Sequence, residues 1–153
     1  MDLSTIGVKI GYAPATVNGT QPTAFTQLTR CKSIGGISLS QETIDTTALE
    51  DFIMQYAKGR ADTGGTWDLT FGVNDEVVTA LETMLTAAAT AETGNKEFWW
   101  DVWFPTLAKS FYIIASPGTK VSMPDIAGGA AAEFPISLIV NEYKGLDTAV
   151  EPA

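Results

Sequence analysis

Residues 97–104 constrain the fold more than any other stretch. Glu97-Phe-Trp-Trp-Asp-Val-Trp-Phe104 alternates, with Phe98, Trp100, Val102 and Phe104 in one set and Glu97, Trp99, Asp101 and Trp103 in the other. Successive side chains of a strand point to opposite faces, so these sets read as the two faces of a β-strand. Aromatic rings on both faces call for burial on both, as in a covered strand rather than a half-solvated one. Trp100 reads as core. Trp99 and Trp103 ask for a second packed surface, for which a subunit interface is the leading explanation.

The same period recurs along the chain. Ile6–Tyr12 alternates, and Asn18-Gly19 is a turn signal. Ala24–Leu28 and Cys31–Ile34 read as short extended pieces, and Ile37–Leu39 opens a strand that continues to Thr46. Trp67, Leu69, Phe71 and Val73 share one face of a strand. Lys109–Ala115, Thr119–Met123 and Ala132–Glu142 follow as further strands. Residues 75–90 break the pattern. Val77, Val78, Leu81, Met84, Leu85 and Ala88 draw one helical stripe, Asn74 is placed to cap it, and Asp75 and Glu76 suit the positive end of the helix dipole. Val73 is placed to staple against Val78, and Gly94 closes the segment. The expected architecture is mainly β. It is a β-sandwich or barrel with one flanking α-helix (about 75–90) and a long assembly loop (about 42–65), in a single domain over 1–153. Gly145–Ala153 reads as an acidic tail that frays.

Within that loop two readings stand side by side. Thr47-x-x-Glu50 is a capping-box pattern, and Leu49, Phe52, Ile53 and Tyr56 follow at helical spacing with Gly59 as a stop. One reading is a short core helix. The other is a subunit-contact arm, because long connections in compact domains are usually functional.

Composition then removes whole classes of function. The 153-residue chain contains no histidine, which excludes Ser-His-Asp and Cys-His catalysis and every His-containing metal site. Its one cysteine, Cys31, permits no internal disulfide and suits a reducing compartment. It reads as a small buried hydrophobe in a strand. A net charge of −9 with dispersed bases argues against binding nucleic acid through phosphate contacts. The hydrophobic fraction of 45% against 18% charge supports a real core and leaves apolar surface to spare. Phe111–Ala115, the longest strongly apolar run, is far short of the roughly 20 residues of a membrane span. The N-terminus lacks the pattern of a signal peptide. A soluble, non-enzymatic protein made in the cytoplasm, with no membrane role, is expected.

Four weaker signals have plainer explanations. Asp62-Thr63-Gly64 matches an aspartic-protease tripeptide, but its flanks do not, and a surface turn is the better reading. Asp62, Asp68, Asp75 and Glu76 lack the spacing of a calcium loop. Asn18-Gly19-Thr20 is a formal glycosylation sequon better read as a turn. The tryptophans at 99, 100 and 103 suggest a sugar platform, with burial the stronger alternative. No catalytic residue, cofactor site or metal site is assigned.

Residues 42–75 carry a resemblance. Glu42-Thr-Ile-Asp45-Thr-Thr47-Ala-Leu49-Glu-Asp51 resembles the D-x-T-x-L-D-D region of major tail tube proteins from long, non-contractile bacteriophage tails. Tyr56-Ala-Lys-Gly59-Arg-Ala-Asp62 is similar to the Y-x-x-G-x-x-D stretch of that siphophage family, and Trp67–Val73 resembles the strand that follows it. The N-terminal strand and Cys31–Gly36 also resemble tail tube N-termini, whereas the longer Leu49–Tyr56 run departs from the family. The resemblance implies a β-sandwich with a flanking helix that self-assembles into hexameric rings stacked as a hollow tube. Genomic DNA would pass through the tube without specific binding. It further implies the tape measure protein, tail terminator and tail-tip proteins as partners, and a place in the tail of the virion. By carry-over, Ile44, Leu49, Phe52, Ile53 and Tyr56 are contact candidates, beside Trp99 and Trp103 from the strand pattern. Acidic side chains lining a channel would repel DNA phosphates over about a Debye length, ~8–10 Å. The alternatives are another phage head or tail protein (a decoration protein or a terminator) and a carbohydrate-binding module.

Overall fold

The computed structural model describes residues 4–14, 20–89, 97–118, 121 and 123–153. Among them run nine strands and one helix: β1 (Lys9–Pro14), β2 (Thr26–Leu28), β3 (Cys31–Ile34), β4 (Ser40–Asp45), β5 (Tyr56–Asp62), β6 (Thr66–Gly72), α1 (Asp75–Ala89), β7 (Phe98–Trp103), β8 (Lys109–Ser116) and β9 (Glu133–Thr148). Seven strands form one antiparallel sheet in the order β2-β1-β7-β8-β9-β6-β3, and β4 and β5 form a separate two-stranded hairpin. The mainly β architecture with a flanking helix therefore stands. The sheet is open, with β2 and β3 as its edges, so it is not a closed barrel. The turn at Asn18-Gly19 and the stop at Gly94 fall outside the described residues. So does most of the strand expected over 119–123, of which Val121 and Met123 are not in a strand.

Strand β7 lies between β1 and β8, with Trp100 level with Tyr12 and Ile113. Both of its faces are buried, as the two-sided aromatic pattern requires. On one face Ile10, Tyr12, Phe98, Trp100, Val102, Ile113, Trp67, Leu69 and Phe71 form the main core. Helix α1 contributes Val77, Leu81, Met84 and Ala88 to it, at the i, i+4, i+7 and i+11 spacing of a single stripe. The cap is realised, because Asn74 Oδ1 accepts the Val77 N–H at 2.8 Å. Val73 lies just past β6 and is exposed, so the expected staple to Val78 has no buried seat. Trp67 and Trp100 meet edge-on at 5.9 Å between ring centres, a favourable quadrupole arrangement. The Trp67 indole N–H donates to the Gly35 carbonyl at 2.7 Å, which satisfies the polar end of a buried ring.

The other face is covered by the chain's own C-terminus. The tail expected to fray from Gly145 instead continues β9 to Thr148 and then lies as a strap over the sheet. The Ala153 N–H donates to the Phe25 carbonyl at 3.0 Å, and the Gln27 N–H donates to the Ala153 carbonyl at 2.8 Å. Lys9 and Glu151 pair at 2.6 Å, and Val150 packs on Ala13, Phe25, Trp99, Tyr112 and Ile114. Gly11 makes the approach feasible: a Cβ there would lie 2.7 Å from Pro152. Acidity suggested fraying, but Val150 and Pro152 supply the apolar contact that holds the segment down.

Candidate functional site

The hairpin β4–β5 forms a sheet of its own, separate from the seven-stranded one. Every residue of β4 is exposed, and all of β5 except Gly59 is exposed too. Residues 46–55 form its tip, closed by a local network. The Thr47 N–H donates to Asp45 Oδ1 at 2.9 Å, and the Ala48 N–H donates to Asp51 Oδ2 at 2.8 Å. The Gln55 N–H donates to Thr47 Oγ1 at 2.8 Å, and the Thr46 N–H donates to the Gln55 carbonyl at 3.0 Å. The bond from Thr47 holds the Asp45 carboxyl below its ordinary pKa. Thr47 thus spends its hydroxyl across the hairpin, and no helix forms over 49–56. The helical spacing of Leu49, Phe52, Ile53 and Tyr56 had no sheet in its own chain to pack on, and isolated short helices are marginal in water.

The tip carries a concentrated apolar load into solvent. Leu49 and Phe52 are fully exposed, Phe52 at 104%, and Ile44, Ile53, Met54 and Tyr56 are exposed as well. Five contact candidates from the sequence (Ile44, Leu49, Phe52, Ile53 and Tyr56) are thus gathered on one element and unburied. Met54 belongs with them; its position inside the same apolar run was the signal available. Gly59 is required where it stands, since a Cβ there would lie 2.6 Å from the Glu42 Cβ across the ladder.

Trp99 and Trp103 are placed differently. Trp99 is 4% exposed and packs in its own chain against Tyr112, with the Lys144 ammonium 5.7 Å from its ring centre. The strap supplies within the chain the second covering that the sequence reading assigned to a neighbouring subunit, and it leaves Trp99 buried there. Trp103 is half-buried beneath Lys9, 5.4 Å from the ring centre. The tryptophans therefore present no open stacking platform for a sugar.

Beneath the strap lies a group that the sequence did not flag. Asp101 is fully buried, and neither carboxylate oxygen makes a hydrogen bond of good geometry; the neighbouring Ser110 hydroxyl is unsatisfied as well. Burial pushes the Asp101 carboxyl up to about 7, with nearby Ser110 pulling weakly the other way. Tyr112 is pushed up to about 12 by burial and by Asp101, and its hydroxyl donates to the Thr148 carbonyl at 2.6 Å.

The remaining chemistry is plain. The Asp62 carboxylate accepts the Gly64 N–H at 2.9 Å, and Gly64 and Gly65 take positive φ, so Asp62-Thr63-Gly64 is a turn. Among the described residues no three His, Cys, Asp or Glu side chains gather as metal ligands. Cys31 is half-buried in β3, with its thiol pushed up to about 11 by burial, which makes it a poor nucleophile. No helix among the described residues is long and apolar enough to cross a membrane.

No family model matches the chain, and no curated protein sequence matches it. Solved structures do. A chain from the tail of an empty GTA particle, refined helically with C6 symmetry, aligns over 97% of this chain and 99% of its own, with a TM-score of 0.58 and 11% identity. A chain from the six-fold symmetrised baseplate of the anti-feeding prophage (AFP) aligns over 97% of each, with a TM-score of 0.56 and 16% identity. At such identities the likeness is one of fold, and it extends over nearly the whole chain.

Proposed function

We propose that this chain is a structural subunit of a phage-type tail, and specifically a tail tube subunit. Copies assemble into six-membered rings that stack into a hollow tube through which DNA passes. The observation that carries this reading is the exposed hairpin, whose apolar tip finds no burial in its own chain. A soluble subunit that displays Leu49, Phe52 and Ile53 together to water has built a contact surface. The six-fold assemblies that hold both structural neighbours support the same reading, as does the resemblance at residues 42–75. In this reading the role is mechanical and calls for no catalytic group. The acidic balance of −9 suits a conduit that must not retain a polyanion. The tape measure protein, the terminator and the tail-tip proteins are the partners this role entails, and the virion tail is its location. The AFP baseplate neighbour favours a second reading, a ring that caps a tube end rather than polymerising.

Negative-stain electron microscopy of the purified chain, concentrated and diluted, tests both readings. Tubes are expected. Isolated six-fold rings select the capping reading. A chain that stays monomeric at all concentrations, and in the presence of a tail-tip complex, overturns both.

A further inference from the structure

Residues 149–153 cross the second face of the sheet. They leave β9 at Thr148, whose carbonyl accepts the Tyr112 hydroxyl of β8 at 2.6 Å. Val150 then packs on Trp99 of β7 and on Tyr112 and Ile114 of β8, and Pro152 is buried against Gly11 of β1. Ala153 reaches the outer edge of β2, where it is bonded to Phe25 and Gln27. Asp101 lies in the middle of this path, level with Gly11 on one side and with Tyr112 on the other. Gly11 has no side chain to cover it, so on that side the cover is the strap itself. The strap is lightly held. Its ties are the two backbone bonds at Ala153, the Tyr112 bond at its root, the apolar contacts of Val150 and Pro152, and a Lys9–Glu151 pair that is partly exposed and therefore weak. Segments held this lightly open locally at far lower cost than the whole fold.

The charges around Asp101 give its ionised form no support. Lys9 of β1 is bonded to Glu151 at 2.6 Å and lies over Trp103, and Lys144 of β9 is bonded to Glu142 at 2.9 Å and lies over Trp99. Lys109 falls on the opposite face of β8 from Ser110, and β2 has no ionisable side chain. The other charged groups of this face are acids: Glu97 of β7, held by Asn141 at 2.7 Å, Asp147 of β9, level with Ser110, and Glu151 of the strap. Tyr112, pushed up to about 12, stays neutral. Under the closed strap a charged Asp101 therefore has neither a counter-charge nor a hydrogen bond of good geometry, which is the costliest setting for a buried carboxylate. With the strap open, water solvates it. We infer that residues 149–153 are a cover latched by Asp101: the protonated carboxyl lets the strap stay seated, and its ionisation lifts the strap off the face and off the edge of β2 while the sheet stays folded. The device works within one chain and does not rest on the tail reading. Its direction follows from linkage. Closure holds the carboxyl at about 7 against an ordinary 3.8, so opening releases a proton. Opening becomes easier as pH rises from about 4 and levels off above about pH 7, with a ceiling of about a thousandfold. It bares Phe25, Trp99 and Tyr112 and frees the Gln27 N–H.

Amide hydrogen exchange of the full chain, read residue by residue by NMR between pH 5 and pH 8 and corrected for the intrinsic pH dependence of exchange, tests it. The Gln27 and Ala153 amides report the strap. The most protected amides of β7 and β8, strands internal to the sheet, report unfolding of the whole. The strap amides are expected to be at least about tenfold less protected than these at every pH, because the strap opens by itself. Their protection is expected to fall about tenfold or more from pH 5 to pH 8. Asp101→Asn keeps the shape of the side chain without its charge and is expected to abolish the fall. Asp101→Leu, which leaves no unsatisfied amide, guards against a folding defect in the first variant and is expected to abolish it too. Glu151→Gln is expected to lower strap protection at pH 5 while leaving its pH dependence in place, since the surface pair is a tie and not the sensor. Equal falls in the parent and in both Asp101 variants overturn the inference. So do strap amides that match the protection of β7 and β8 at every pH, because the strap would then open only with the whole sheet. Strap amides already unprotected at pH 5 overturn it as well, and so does a flat profile in Glu151→Gln, which would move the latch to Glu151.

Discussion

Two antiparallel hairpins in this molecule are built from similar material and end in opposite environments. In β7–β8, Trp99, Trp100, Tyr112 and Ile113 are all buried, half of them under the helix-side core and half under the C-terminal strap. In β4–β5 and its tip, Ile44, Leu49, Phe52, Ile53 and Tyr56 are all exposed. Apolar content does not separate the two. What differs is whether the chain contains a second layer to lay over the residues. The first hairpin has two such layers, and the second has none. The contrast separates the part of the chain that buries its apolar residues by itself from the part that leaves them in water.

The comparison is most severely tested at Trp100. Trp100→Ala removes the ring that joins the Trp67 and Tyr12 contacts, and a loss of about 3–5 kcal/mol in urea unfolding of the free subunit is expected. A loss below 1 kcal/mol would mean that β7 is not central to the core.

Asp101 probes the strap-covered face through pH. Its folded pKa of about 7 lies above the unfolded value near 3.9, so folding favours the protonated form. The stability this contributes is complete below about pH 4, declines as pH rises, and is gone above about pH 7. Asp101→Asn holds the site neutral. Its stability advantage over the parent should therefore grow by roughly 2–3 kcal/mol between pH 5 and pH 8, at about 1.4 kcal/mol per unit over the titrating range. Thermal melts at three pH values read this directly, and parallel profiles for the two proteins would remove the buried carboxyl from the account.

Removal of residues 149–153 should lower stability by about 1–2 kcal/mol, since it re-exposes Trp99 and Phe25 and breaks the bonds to Phe25 and Gln27. It should also flatten the Asp101 effect, because water then reaches the carboxyl. An unchanged melting temperature would show that the strap does not hold the second face.

The smallest folding effect belongs to the exposed hairpin. Phe52→Asp should leave the free subunit within about 0.5 kcal/mol of the parent while abolishing tubes. A strongly destabilised monomer that still polymerises would reverse the comparison and make Phe52 core.

Much of this was legible in the residues, for reasons that differ by element. Strand β3 falls on Cys31–Ile34 as read, β6 and β7 lie within one residue of their expected ends, and α1 begins at the expected Asp75. Each carries a strong local period: 2.0 for the strands, 3.6 with an Asn74 cap for the helix. The tip was ambiguous because a capping box and a four-residue stripe also describe a helix. Only the absence of a packing partner decides against one. The strap was missed because proximity of Pro152 to Gly11 links the two ends of the sequence and leaves no local trace.

The sequence alone determined the mainly β class, the helix and its buried stripe, the absence of histidine chemistry, and the apolar run carried by the hairpin tip. These follow from side-chain period and chemical identity, which are local properties. Tertiary structure alone decided that the sheet stays open, that Trp99 is satisfied within its own chain, and that Asp101 is sealed without a partner. Burial depends on which distant segment arrives to cover a face, and that is a property of the packed chain rather than of any stretch within it.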